Sequence, residues 1–499
     1  MTNYTYPATL LCDFYKVSHK NQYPKGTELV YSTWTARESR LSNVKHVVAF
    51  GFQAFIKEYL IRYFNEHFFG RTKEEVVEEY QRVIRYALGV AEPDASHIAE
   101  LHELGYLPVR IKAVREGALV PIRVPMLTIE NTKPEFFWLT NYLETLMSCQ
   151  LWMPATSATI AFEYRKLLED FALRTNGDAA GVPFQGHDFS MRGMASLEAA
   201  KGSGAGHLLS FTGTDTIPAI LYLEDYYGAN MERELIGASI PATEHSVMCA
   251  HGRDELSSYR YLIQEVYPEG FVSIVSDTWD LWKVLDEVIR GLKEEIMGRN
   301  GKVVIRPDSG DPVRILCGDP DADSEHARKG VIELLWDIFG GTVTERGFKQ
   351  LDSHIGAIYG DAITLDRCRD ICERLAAKGF ASTNMVYGIG SFTYQYNTRD
   401  TFGFALKSTY AVVDGEERKI YKDPATDQNK VKKSQTGLVC VVEQDGELTY
   451  IDNLGKEDYT LHKEADLLEE VFVDGRMVRE LTLGEIRAEL LEQLPTAGV

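Results

Sequence analysis

Lys302-Val303-Val304-Ile305-Arg306-Pro307-Asp308-Ser309-Gly310 is a short apolar run that stops at an arginine, a proline, an aspartate and small residues. Such a run suits a buried strand, and the proline and glycine behind it turn the chain. Four more segments share the construction. Residues 207–211 lead to Gly213-Thr214-Asp215, residues 272–276 to Asp277, residues 355–359 to Gly360-Asp361, and residues 384–387 to Gly388-Ile389-Gly390-Ser391. Helical patterns lie between them: residues 279–296 place Leu281, Val284, Leu285, Val288 and Leu292 on one face, and residues 365–377 do so with Leu365, Cys368, Ile371, Cys372 and Leu375 before Lys378-Gly379. Alternation of this kind predicts parallel β/α units, an α/β fold with an irregular β/α barrel-like catalytic domain whose strand ends meet at one mouth. One aspartate after a strand is ordinarily a helix N-cap, but capping does not account for a series that includes arginines and glycines.

Outward from this core the pattern changes on both sides. Toward the N-terminus, strands at residues 28–35 and 47–50, helices at 52–64, 74–88 and 97–104, and strand-like runs within 109–127 predict an α+β unit. Residues 136–150 and 156–172 read as two connecting helices. Toward the C-terminus, Asp414-Gly415, Asp445-Gly446 and Asp474-Gly475 each separate strand-like runs and announce hairpins. Thr482 and Glu485 form a capping box for a last helix burying Ile486, Leu490 and Leu494. The expected division is 1–155 for the N-terminal α+β part, 156–394 for the barrel, and 395–499 for a hairpin segment that packs back on the N-terminal part. Residues 317–330, rich in Asp and Gly, read as a surface excursion.

A chain of 499 residues with 44% hydrophobic and 25% charged residues has the composition of a folded multi-domain protein. Its formal charge of -21 repels nucleic acid and anionic membrane, and Lys422, Lys430, Lys432 and Lys433 read as a solvated loop. Seven scattered cysteines imply free thiols in a reducing compartment, with Cys368 and Cys372 as core packing and no zinc motif. No leader pattern and no run of roughly 18 apolar residues is present, so the expected location is the cytoplasm.

For chemistry, Ile240-Pro241-Ala242-Thr243-Glu244-His245-Ser246 sets an imidazole beside a carboxylate, and the barrel pattern places His245 with the polar strand ends. Gly202-Ser203-Gly204-Ala205-Gly206 precedes a predicted strand instead of following one into a helix, so it reads as a flexible loop and not a dinucleotide site. Asp277, Asp308 and Asp361, with Arg192, Arg306, Gly360 and the 388–391 loop, suit a phosphorylated sugar with Mg²⁺. Phe189, three residues before Arg192, suits a flat ring.

His187-Asp188-Phe189-Ser190-Met191-Arg192-Gly193, Gly213-Thr214-Asp215-Thr216, Glu244-His245-Ser246, Ser276-Asp277, Ile305-Arg306-Pro307-Asp308-Ser309-Gly310, Gly360-Asp361, Thr398-Arg399-Asp400 and Lys422-Asp423-Pro424 occur in this order. Together they resemble the nicotinamide phosphoribosyltransferase family, from Asp13-Phe14-Tyr15-Lys16 to the Lys430 region. The resemblance implies phosphoribosyl transfer from 5-phosphoribosyl 1-pyrophosphate to nicotinamide in NAD salvage, with Mg²⁺, in a homodimer with active sites shared between subunits. It also implies ATP as co-substrate through a phosphohistidine at His245, with Glu244 and Asp277 as its neighbours. Phe189 and the partner subunit's Tyr15 would sandwich the pyridine, and Asp215 would accept from the carboxamide. Arg192, Arg306, Asp308, Gly360 and Asp361 would line the ring, ribose and phosphate path, and Arg37, Arg399 and Lys407 would reach phosphates across the interface. The family's glycine-rich loop differs here, as Gly388-Ile389-Gly390-Ser391-Phe392, with side chains where the family pattern is mostly glycine; Gly390 and Ser391 are the substrate-binding candidates in it. The implied set leaves the metal ligands open.

Two rival readings are a nicotinate phosphoribosyltransferase and a non-catalytic binding or signalling protein on the same scaffold. Asp215 opposes the first, because two carboxylates in one partly desolvated pocket repel. His245, Asp215, Asp277 and both arginines oppose the second, since binding alone requires no phosphorylatable histidine.

Overall fold

The computed structural model describes residues 6–360, 362–421 and 435–495; Asp361 and the lysines at 422, 430, 432 and 433 lie outside the described residues. Two compact units are present. One gathers the chain up to Thr159 with Leu223–Ala229 and Asn397–Gln493, and the other gathers Ile160–Tyr222 and Asn230–Tyr396.

In the second unit six short parallel strands make one sheet: β1 (Gly186–Asp188), β2 (Gly213–Thr214), β3 (Val272–Val275), β4 (Val303–Arg306), β5 (Ile355–Tyr359) and β6 (Met385–Ile389). Their spatial order is β2-β1-β6-β5-β4-β3. The two edges are then joined by one irregular segment, since Ala238 bridges Gly213 of β2 and Ala242 bridges Ser273 of β3, both in parallel. Around the ring, neighbours therefore follow chain order, as in a β/α barrel. Val272, Ile274, Val275, Val303, Ile305 and Tyr359 are wholly buried, which is why these strands read as continuous apolar runs instead of alternating ones.

Three local expectations are corrected. Residues 207–211 are not a strand: His207 ends the helix Leu197–His207, and the strand is Gly213–Thr214. Leu208, Leu209 and Phe211 are apolar because they pack in the core, not because they are extended. The 202–206 glycines lie inside that helix and not in a flexible loop; a Cβ on Gly204 would stand 2.7 Å from the Ala219 Cβ and 3.1 Å from Asp188 Oδ2. Here glycine serves close packing. Finally, the two connecting helices are one helix of 32 residues, Glu144–Thr175, which runs through Pro154. Burial of Leu151, Ala155, Ala158, Phe162 and Leu168 along it outweighs the one backbone bond that a proline removes.

In the first unit the strands at Ala405–Val413 and Glu416–Lys419 lie on one side of Thr27–Thr35, Pro125–Asn131 and Val109–Ala113, and Glu469–Val473 and Arg476–Met477 lie on the other, in a single seven-stranded sheet. The hairpin turns carry φ of 52°, 53° and 49° at Asp414, Asp445 and Asp474, each followed by a glycine also at positive φ, as two-residue turns matched to strand twist require. Thr482 and Glu485 cap the helix Leu483–Leu491, which buries Ile486 and Leu490. In the 317–330 excursion Lys378 Nζ donates to the carbonyls of Cys317 (2.9 Å) and Lys329 (2.7 Å), tying its ends together. No helix among the described residues is long and apolar enough to cross a membrane.

Candidate active site

The strand ends of the barrel carry the polar groups. Phe189 follows β1, Asp215 follows β2, His245 follows the bridging segment, Asp277 follows β3, Arg306 to Asp308 close β4, Gly360 follows β5 and Gly390 follows β6.

Phe189 is fixed from two sides. Its N–H donates to the Ile389 carbonyl at 3.0 Å. Its ring rests on bare glycine: a Cβ on Gly388 would stand 2.5 Å from Phe189 Cδ2, and one on Gly360 would stand 3.4 Å from it and 3.3 Å from Asp308 Oδ1. The Arg306 guanidinium lies 5.8 Å from the ring centroid, and its buried Nε has no hydrogen-bond partner among the described residues. Such a donor beside an aromatic face suits an anionic or carbonyl group of a ligand. Beneath, the fully buried Asp188 accepts from the Ser190 N–H (2.9 Å) and the Thr216 hydroxyl (2.7 Å), locking the start of the Phe189 loop.

Asp215 takes His187 Nε2 at 2.9 Å and Ser239 Oγ at 2.6 Å, both on Oδ1. Partial burial pushes its carboxyl up, but the bonds from His187 and Ser239 and the fields of His187 and Arg306 outweigh burial and hold it below the ordinary carboxylate value. It is therefore an ionised acceptor with Oδ1 already engaged.

Asp277 is the second hub. Its Oδ1 faces His245 Nε2 at 3.2 Å, while Oδ2 accepts the Asp308 N–H at 2.8 Å and the Ser309 hydroxyl at 2.6 Å. Burial raises this carboxyl too, and again the bonds from Ser309, Asp308 and His245 win, leaving it depressed. His245 begins the helix His245–Ala250 with its side chain 47% exposed, against 5% for Asp277. With Nε2–H given to Asp277, the neutral ring keeps its lone pair on Nδ1. Glu244 turns elsewhere: its carboxylate accepts from the Ser246 hydroxyl, so Asp277 is the carboxylate bonded to the imidazole.

Arg192 is exposed on the turn Met191–Gly193, and the Ser391 side chain lies directly against Gly193. Gly390 starts the short helix Ser391–Tyr394 with open space above its α-carbon. Tyr15, Arg37, Arg399 and Lys407 belong to the other unit. There Tyr15 is 56% exposed, Arg37 Nε donates to the Gly403 carbonyl at 2.8 Å, Arg399 pairs with Asp400 at 3.3 Å, and Lys407 lies 4.0 Å from Glu144. Among the described residues no three His, Cys, Asp or Glu side chains gather as a metal cage. The contributions of His187, Ser239 and Ser309 were not legible in the sequence. The misplaced strand at 207–211 hid that His187 and Gly213 are paired neighbours.

Residues 184–475 match the nicotinate phosphoribosyltransferase (NAPRTase) family, and residues 8–111 match the nicotinamide phosphoribosyltransferase N-terminal domain. A nicotinamide phosphoribosyltransferase of Acinetobacter baylyi is 50% identical over 97% of this chain and 96% of its own length. One from Xanthomonas campestris pv. campestris is 36% identical over 95% and 96%. Among solved structures, a nicotinate-nucleotide pyrophosphorylase from Pyrococcus furiosus superposes with a TM-score of 0.58 at 16% identity over 99% of this chain and 98% of its own. Human nicotinic acid phosphoribosyltransferase gives 0.53 at 16% identity over 97% and 93%; at that identity the likeness concerns the fold alone. With both family regions matched in order and half the residues shared with a full-length relative, the chain belongs to the nicotinamide phosphoribosyltransferase family.

Proposed function

We propose that this protein transfers the phosphoribosyl group of 5-phosphoribosyl 1-pyrophosphate to nicotinamide, giving nicotinamide mononucleotide and pyrophosphate for NAD biosynthesis. The observation that carries this reading is the slot around Phe189: an aromatic face seated on Gly360 and Gly388, flanked by the Arg306 guanidinium, with an ionised carboxylate at Asp215. A flat ring bearing a carboxamide satisfies all three at once. Its faces stack, its N–H donates to Asp215, and its carbonyl meets a cation.

The pyridine nitrogen attacks the ribose carbon as the bond to pyrophosphate breaks, so positive character grows on the sugar and negative charge on the leaving group. Asp308, with its backbone N–H on Asp277, supplies a carboxylate on the sugar side. Arg192, Gly390 and Ser391 supply a cation and amide donors for phosphate, and holding the ring fixes the line of attack. Asp308 is the carboxylate that would help hold a Mg²⁺ ion bound with the substrate. When bound, that ion neutralises the leaving group.

His245 is the proposed acceptor of the ATP γ-phosphate. A P–N bond forms at Nδ1 as the bond to ADP breaks, with Asp277 orienting the ring from Nε2. Transfer to nicotinamide removes no proton from the nucleophile and needs no base there. A homodimer that brings Tyr15, Arg37, Arg399 and Lys407 of one subunit to the barrel mouth of the other completes the reading.

The test is a product assay with 5-phosphoribosyl 1-pyrophosphate and either nicotinamide or nicotinate, with and without ATP. Nicotinamide mononucleotide should form, faster with ATP. His245→Ala should keep slow ATP-independent transfer while losing ATP stimulation and acid-labile protein phosphate. Product from nicotinate alone, or ATP hydrolysis by wild type that never carries phosphate, overturns the respective part.

A further inference from the structure

We infer that His187 and Ser239 are the positioning residues that set selectivity between a neutral carboxamide and a carboxylate, acting through Asp215. This rests on the reading of Asp215 as the carboxamide acceptor. The two donors come from opposite sides of the strand that carries the aspartate. His187 lies on β1, paired with Gly213 of β2, and Ser239 follows Ala238, which bridges the same Gly213 from the other side. Both bonds fall on one oxygen, Oδ1, at 2.9 Å and 2.6 Å. A carboxylate gripped so cannot rotate about its Cβ–Cγ bond without losing two donors.

That constraint has a consequence for selectivity. A free aspartate would relax by turning away from an incoming carboxylate, and much of the repulsion would vanish. Held by Oδ1, it keeps presenting Oδ2, which favours an N–H donor and rejects a second anion. The imidazole is itself held in place. His187 is 10% exposed as a side chain, its ring lies 4.6 Å from that of Phe189, and its Nδ1 edge packs over bare backbone, where a Cβ on Gly213 would stand 2.7 Å from Nδ1 and 2.9 Å from the Gly186 carbonyl. Gly213 thereby belongs to the device, because a side chain there would move the ring that holds the aspartate.

The experiment measures kcat and KM for nicotinamide and for nicotinate with the full-length protein. The variants are Ser239→Ala, His187→Leu, His187→Gln and Asp215→Asn, plus the two double variants that add Asp215→Asn to Ser239→Ala or to His187→Leu. Ser239 is exposed, so its truncation leaves the core intact. Loss of one hydrogen bond to a charged acceptor should raise KM for nicotinamide about tenfold in Ser239→Ala and in His187→Leu, with a smaller change in kcat. Both should narrow the preference over nicotinate. His187→Gln keeps an N–H donor and should recover most of it. In the Asp215→Asn background neither change should alter selectivity further. The inference is overturned if Asp215→Asn shifts the preference while Ser239→Ala and His187→Leu keep the wild-type ratio, or if Gln at 187 is as poor as Leu. A preference untouched by Asp215→Asn overturns instead the reading of Asp215 on which the inference stands.

Discussion

His97 shows what a single buried group does to the stability of the molecule. The ring is 4% exposed between Tyr80 and Trp138, at centroid distances of 5.7 Å and 4.8 Å, and neither nitrogen has a hydrogen-bond partner among the described residues. Burial, helped by the charge of Lys20 and opposed by Asp94, pushes its pKa down from 6.5 to about 4. Between those values the unfolded chain binds the proton and the folded chain does not, so stability rises with pH across that window. Acidification through it removes roughly 3 kcal/mol, a loss complete once pH falls below the folded value. The fully buried His207, also lowered to about 4 by burial, adds a loss of the same sign. His97→Phe should therefore flatten, without abolishing, the difference between urea midpoints measured at neutral and at mildly acid pH. An unchanged difference would show that His97 does not titrate on unfolding.

At the scale of one element, glycines in two helices should answer the same substitution with opposite signs. Alanine is a better helix former than glycine by about 1 kcal/mol. In the helix Leu197–His207, however, a Cβ on Gly204 meets Ala219 at 2.7 Å and Asp188 at 3.1 Å. Overpacking there costs about 1–3 kcal/mol, so Gly204→Ala should destabilise on balance. Because Asp188 braces Ser190 and Thr216, activity should fall with stability. At Gly291 the nearest atom to a new Cβ is Leu256 Cδ1 at an ordinary 3.8 Å, and Gly291→Ala should stabilise by roughly 0.5–1 kcal/mol. Urea titration of the two variants side by side checks both signs.

For the whole molecule the decisive question is whether the exposed Tyr15 of one subunit and Phe189 of another share a substrate, as the proposed function requires. If sites are completed between subunits, Tyr15→Ala and Phe189→Ala chains should each be nearly inactive. Mixed dimers would then hold one intact site and one doubly defective site. Random exchange at equal amounts should restore about a quarter of wild-type activity. If both rings came from the same chain, every mixed dimer would carry two defective sites and no recovery would follow proven exchange.

Features set within a few residues were legible from the sequence by itself. The Asp-Gly turns declare themselves because only positive φ suits a two-residue hairpin, the Thr482 box because its donors and acceptors lie three residues apart, and the helix Leu365–Ala377 because its buried Cys368, Ile371, Cys372 and Leu375 repeat at helical spacing. Conserving that local grammar at several strand ends was enough to place the barrel mouth, with Asp215, Asp277 and Asp308 beside it. Contacts between partners far apart in the chain follow a different logic. Leu208, Leu209 and Phe211 look alike whether helix end or strand buries them, since hydrophobicity reports burial and not backbone shape. Glycines 202–206 became a packed helix because Ala219 and Asp188 press on it, and Pro154 stayed inside a helix because its neighbours are buried. The grip on Asp215 joins residues 28 and 24 positions away, brought together by strand pairing on either side of Gly213. Local signals say which residues can donate or accept; the pairing of strands across the barrel decides which of them meet.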